Sequence, residues 1–92
     1  MSNTITVYSA PNCRGCRFTK RTLDVAGITY TEVEDAAEHI DLVEEIKERA
    51  RIQGVQAKWP YVSVFNEQNE LVADWVDYRP DLIEEHITGR AA

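Results

Sequence analysis

Residues 4–9 (TITVYS) are rich in β-branched side chains and read as a strand that Ala10-Pro11-Asn12 ends. Asn12 or Cys13 can cap a helix over residues 14–26. There Phe18, Thr22, Val25 and the Thr19/Leu23/Ala26 row offer apolar surface at helical spacing. Gly27 stops that helix, because glycine takes positive φ without a Cβ penalty, and a second strand follows over 28–33. Ile40, Val43, Ile46 and Ala50 recur at i, i+3, i+6 and i+10 among charged residues, which predicts an amphipathic helix over 37–52 closed by Gly54. Residues 61–65 (YVSVF) read as a strand, 66–69 as a turn, and 70–76 as a strand pairing back in a hairpin. Pro80 suits the first turn of a last helix over 80–88, with Leu82, Ile83, His86 and Ile87 as its inner face and Gly89 as its end.

The order β-α-β-α-β-β-α is an α/β pattern. A right-handed βαβ start, then a hairpin and a covering helix, gives a four-stranded mixed sheet flanked by helices. At 92 residues the chain has room for one core, so a single domain over 1–92 is expected. No stretch approaches the roughly 20 apolar residues of a membrane span. Residues 1–4 lack the basic flank and apolar stretch of a signal peptide, which leaves the cytoplasm as the expected compartment.

Charge narrows the partners. The net charge is −6, from 16 acidic and 10 basic side chains, and a nucleic-acid partner would need a basic face. The acids crowd residues 32–48 and read as a solvated helix face. Arg14, Arg17, Lys20 and Arg21 instead cluster beside the cysteines.

Those cysteines, Cys13 and Cys16 in Cys13-Arg14-Gly15-Cys16, are the chain's two. A bridge closing so short a loop removes little unfolded-state entropy and makes a poor staple, so chemistry explains it better. The pair falls just past the first strand, at the mouth of the first helix, where open α/β sheets place their sites. Unpaired N–H groups and the helix dipole favour an anion there, and Arg14, Arg17 and Lys20 add positive potential. Cys13, the more exposed, is the expected nucleophile, since the thiolate is the attacking species. Cys16, one turn inward, would resolve the mixed disulfide. Gly15 keeps the approach open. Half a zinc site is the competing reading, but His39 and His86 stand alone on separate helices and the paired-histidine spacing is absent.

With these residues in view, the chain resembles glutaredoxin-like proteins of the thioredoxin superfamily, most closely the NrdH-type redoxins. The likeness covers the run from Thr6 through Cys16 with Thr19-Lys20-Arg21, then Gly27-Ile28-Thr29-Tyr30 with Glu34-Asp35. It continues in Trp59-Pro60-Tyr61-Val62, and in Trp75-Val76-Asp77-Tyr78-Arg79-Pro80-Asp81, which is similar to a Trp-Ser-Gly-Phe-Arg-Pro signature. The resemblance implies a thioredoxin fold and a cis peptide at Pro60, opposite the cysteines, where neighbouring carbonyls take a substrate backbone. It also implies a dithiol–disulfide oxidoreductase that binds no cofactor and acts as a monomer. Electrons would come from NADPH through thioredoxin reductase, and ribonucleotide reductase or another disulfide-bearing protein would receive them. Glutathione-binding relatives carry a Gly-Gly pair where this chain has Asp74-Trp75-Val76-Asp77, which favours the NrdH-type reading.

The departures bear on partner choice. Arg14-Gly15 stands in place of Val-Gln or Met-Gln, Val76 and Asp77 replace the signature serine and glycine, and the loop 54–60 is one residue longer. Beside Pro60, the expected partner contacts are Trp59, Arg14, Trp75, Asp77 and Tyr78. Aromatics at strand ends are commonly half-buried core; with the motif match added, Trp75 is read as structural and Trp59 as exposed. Arg79 either anchors the last helix through a carboxylate or is solvated. Three alternatives stay open: a glutathione-coupled glutaredoxin using Cys13 alone, an iron–sulfur cluster carrier, and a non-catalytic adaptor, which would need neither thiol.

Overall fold

The computed structural model describes residues 3–89; the parts of the leader and domain readings that concern residues 1–2 and 90–92 lie outside them. Four strands, β1 (Thr4–Tyr8), β2 (Thr31–Val33), β3 (Tyr61–Phe65) and β4 (Leu71–Val76), form one sheet in the order β2-β1-β3-β4. The β1–β2 pair is parallel, whereas β3 runs antiparallel to both β1 and β4. Helices α1 (Arg14–Val25), α2 (Ile40–Gln53) and α3 (Pro80–Ile83) complete the thioredoxin fold that the resemblance implied. Among the described residues, no helix is long and apolar enough to cross a membrane.

Strand alternation sorts the core into two layers. Ile5 and Val7 of β1, Val62 and Val64 of β3 and Trp75 of β4 meet Leu23 of α1 and Ile83 of α3 on one face. On the other, Tyr61 and Val76 meet Ile46 and Ala50 of α2, with Tyr8, Leu42 and Trp59 at the margin.

Several elements differ from the sequence reading. The second strand pairs only from Thr31, because the Ile28 N–H turns back to the Leu23 carbonyl at 2.9 Å and caps α1. The 37–52 helix is two pieces, a 3₁₀ turn at Ala36–Glu38 and α2, separated by extended backbone at His39. Gly54 ends α2 at φ 74°, as expected. Steps of three residues fall about 60° short of a turn, so the Ile40 row drifts round α2. Ile46 and Ala50 are buried, but Ile40 is 75% exposed. On α1 Thr19 and Leu23 are buried against the sheet, but Ala26 of the same row is the exposed C-cap, and Phe18 and Val25 of the other row face outward. The last helix widens after Ile83 into a π turn, Glu84–Thr88, closed by a Gly89 N–H to Glu84 carbonyl bond. His86 stays largely outside the core, its ring stacked on Trp75 at 6.0 Å.

Candidate active site

Cys13 occupies the N-cap of α1 with extended backbone, φ −108° and ψ 109°. Asn12 before it takes a left-handed φ of 56°, which turns the chain from β1 toward the helix. The Cys16 N–H donates to Cys13 Sγ at 3.0 Å, and the Arg17 N–H donates to the Cys13 carbonyl at 3.3 Å. This sulfur therefore fills the role a serine or aspartate oxygen plays at an ordinary cap: it accepts from an N–H with no partner inside the helix. The two cysteines are joined in a disulfide. Cys13 is partly exposed, whereas Cys16 is only 2% exposed. A sulfur that reagents can reach, backed by one that they cannot, suits attack by the first and internal release by the second.

Two further segments reach the pair. The Trp59–Pro60 peptide is cis, and Pro60 is buried at the entrance to β3. A Cβ built on Gly15 would lie 3.4 Å from Pro60 Cδ, 3.4 Å from the Trp59 carbonyl oxygen and 3.5 Å from Tyr78 Cβ. Both segments thus close on the cysteine loop. They are tied together by the Asp77 N–H, which donates to the Pro60 carbonyl at 2.8 Å. Because the contacts at Gly15 are ordinary van der Waals distances, Gly15→Ala fits. By lowering the entropy of the unfolded chain it raises stability by about 0.5 kcal/mol, read as a rise of roughly 3 °C in the melting temperature of the oxidised protein.

Asp77, where the signature has glycine, keeps the glycine's left-handed backbone at φ 76°. Its carboxylate accepts the Tyr78 N–H at 2.8 Å and faces Lys58 Nζ at 3.7 Å. Asp77→Ala loses both contacts but keeps the strained φ, whereas Asp77→Gly loses the contacts and relieves the strain. The glycine variant should be the more stable of the two by about 1 kcal/mol in urea denaturation.

Other expected contacts sort by burial. Arg14 is exposed beside Cys13. Tyr78 packs against the α1/α3 core, with its hydroxyl 3.1 Å from Thr22 Oγ1 and its ring 5.7 Å from Phe18. Trp75 is corrected as a partner contact: at 2% exposure it belongs to the core, and its indole stacks on His86. Trp59 is corrected as exposed, because it is partly buried against the α2 layer. Lys20 brings no free charge to the thiols, since Glu32 holds it at 2.6 Å. Arg79 pairs with Asp81 at 2.9 Å at the start of α3. Among the described residues, no group of three or more His, Cys, Asp or Glu side chains could hold a metal ion.

Sequence reasoning missed one cluster. Asp74 of β4, its side chain only 6% exposed, accepts two bonds from Arg49 at 2.8 and 3.1 Å. It also accepts the Tyr61 hydroxyl at 2.7 Å and Gln53 Nε2 at 2.9 Å. Burial pulls the Asp74 carboxyl upward, but the bonds from Arg49 and Tyr61 outweigh it and hold the group below the usual carboxylate range. Tyr61 is pushed up, first by burial and then by Asp74. The network clamps α2 to the sheet beneath the loop that carries Pro60. Nothing in the local pattern of either segment announces it.

The glutaredoxin family model matches residues 5–62, which include both cysteines and Pro60. The chain belongs to the glutaredoxin family. This glutaredoxin-family chain is a thiol–disulfide oxidoreductase, with Cys13-Arg14-Gly15-Cys16 as its dithiol motif. Among solved structures it is similar to the glutaredoxin-like protein NrdH-redoxin from Escherichia coli, with a TM-score of 0.59 and 26% identity over 95% of this chain and 99% of that one. It shares its fold with the glutaredoxin of Archaeoglobus fulgidus (TM-score 0.61, 17% identity, 92% of this chain and 86% of that one). A thioredoxin pre-protein of Schistosoma mansoni shares it too (TM-score 0.58, 18% identity, 92% and 75%). No curated protein sequence matches the chain.

Proposed function

We propose that this glutaredoxin-family chain is a dithiol electron carrier of the NrdH type, reducing protein disulfides through Cys13 and Cys16. The observation that carries the reading is the Cys13 sulfur held at the open end of α1, accepting the Cys16 N–H at 3.0 Å, while Cys16 is 2% exposed. In the reduced protein, the Cys13 thiolate attacks one sulfur of the substrate disulfide. A mixed disulfide forms, and the first substrate thiolate leaves and takes up a proton. Cys16 then gives up its proton and attacks Cys13 Sγ, which releases the second substrate thiol. Two electrons pass to the substrate with two protons, one from Cys16 and one from solvent, and the Cys13–Cys16 bridge remains.

A flavoprotein reductase of the thioredoxin reductase kind, drawing on NADPH, would reopen that bridge, and a ribonucleotide reductase is the proposed acceptor. Two observations support this over glutathione. The segment before α3 is Asp74-Trp75-Val76-Asp77, without the glycine pair of glutathione-binding relatives, and the similarity to NrdH-redoxin spans nearly the full length of both chains. A monomer in a reducing cytoplasm is the setting this reading implies. Family membership alone favours the second reading, a glutathione-coupled glutaredoxin.

A coupled assay of NADPH oxidation separates them. Thioredoxin reductase is expected to turn the protein over at least ~10-fold faster than glutathione with glutathione reductase, in line with the more reducing poise of thioredoxin-type couples. The reverse ranking would sink the NrdH-type reading and install the other.

A further inference from the structure

The described residues hold nine Lys and Arg side chains, and six of them have a carboxylate partner at 2.5–3.7 Å. The other three, Arg14, Arg17 and Arg21, are exposed and have no ion-pair partner among the described residues. All three stand on α1, the helix that the cysteines open. At about 100° per residue, positions 14, 17, 18, 21 and 25 fall within roughly a 100° arc, opposite buried Cys16, Thr19 and Leu23. On a chain of net charge −6, the free positive charge among the described residues is therefore one stripe leading away from the disulfide.

Apolar surface accompanies that stripe. Phe18 is 45% exposed and Val25 81%, and together with Tyr78 they line a shallow groove beside Arg21. Tyr78 joins the groove to the cysteine loop, with its Cβ 3.5 Å from the position a Gly15 Cβ would take. A chain whose disulfide sits at Cys13 can run along α1 for about eleven residues, or roughly 16 Å of helix.

We propose that this face docks a protein partner through an acidic segment: two or three carboxylates, with one aromatic or aliphatic side chain between them, within about 16 Å of the partner's disulfide. The proposal rests on the protein-disulfide reading above and names the partner's chemistry. The guanidiniums take the carboxylates, and the groove at Phe18, Val25 and Tyr78 takes the apolar side chain. The acids elsewhere on the chain repel the same segment, so the partner is steered onto α1 with its disulfide toward Cys13.

The test uses three synthetic peptides sharing one internal disulfide and one phenylalanine, flanked by Glu, Gln or Lys. Each is reduced in a single turnover by the reduced protein at low salt. The Glu peptide is expected to react at least ~10-fold faster than the Gln peptide and the Lys peptide slowest, with the gap closing at high salt. Arg21→Glu should slow the Glu peptide at least ~5-fold while reaction with hydroxyethyl disulfide changes less than ~2-fold. Equal rates for the three peptides, or an unchanged Glu-peptide rate in Arg21→Glu, overturns the proposal. So does sedimentation showing that the face instead holds a second copy of the chain, or that it binds phosphatidylserine vesicles. Failure to reduce any of the peptides or hydroxyethyl disulfide would be a different outcome, bringing down the oxidoreductase reading itself.

Discussion

Cys13→Ser abolishes reduction of protein disulfides, lowering the insulin-reduction rate by at least ~10³-fold, because a serine hydroxyl at the same cap carries a proton that nothing there removes. Cys16→Ser behaves differently. Cys13 still attacks, but the mixed disulfide has no internal thiol to resolve it, so the variant accumulates a covalent complex with its substrate. Intact-protein mass spectrometry would read that adduct, one equivalent per chain. Iodoacetamide at mildly acidic pH should modify Cys13 of the reduced protein well ahead of Cys16, for two reasons that act together. The helix end favours the thiolate at Cys13, and burial shields Cys16. Equal alkylation of the two thiols would remove the basis for assigning their roles. Persistent deglutathionylation by Cys16→Ser, with reduced glutathione as donor, would point to the single-thiol glutaredoxin reading.

The largest stability effect is expected at a residue far from the sulfurs in sequence. Asp74→Ala leaves the Arg49 guanidinium, the Tyr61 hydroxyl and the Gln53 amide without their shared acceptor. Removing one partner of a buried pair costs about 3–5 kcal/mol. Arg49 keeps some access to water, with its side chain 34% exposed, so about 3 kcal/mol is expected, or roughly 15 °C in melting temperature. The pH dependence has a definite sign. Because the folded carboxyl sits below its ordinary value, its contribution is fully present above about pH 4 and is lost as the pH falls through the depressed folded value. Asp74→Asn should therefore flatten the acid limb of stability below about pH 4. Urea denaturation at a series of pH values checks this, and an unaltered acid limb would show that another carboxylate dominates there.

What the sequence made legible was local. The CxxC pair, the glycine that ends α2, the hairpin and the proline opening the last helix each depend on residues a few positions apart, where backbone preference decides the outcome. The cis bond at Pro60 is legible only through resemblance, not through its own surroundings. The expectations that fail are those in which one face of a helix has to be chosen over another. Phe18 and Val25 are as apolar as Leu23, and only the seat of α1 on the sheet separates the buried row from the exposed one. The Asp74 cluster is hidden for a related reason. Arg49 and Asp74 are 25 positions apart, and each looks like a solvated charge until α2 is laid across β4. Trp75 is core, in line with its structural reading, whereas Trp59 is half-buried against the α2 layer instead of exposed, because strand-end aromatics give no sign of which layer will take them.

The main-chain bond from Asp77 to the Pro60 carbonyl has a consequence for how such a protein can diverge. The floor beneath the sulfurs is held by backbone atoms, so position 77 can change its side chain without moving it. The left-handed turn there restricts the choice to glycine and short polar residues. The turn at position 77 thus admits glycine or asparagine, which are neutral, or aspartate, whose negative charge faces Lys58, while the reacting sulfurs stay in place.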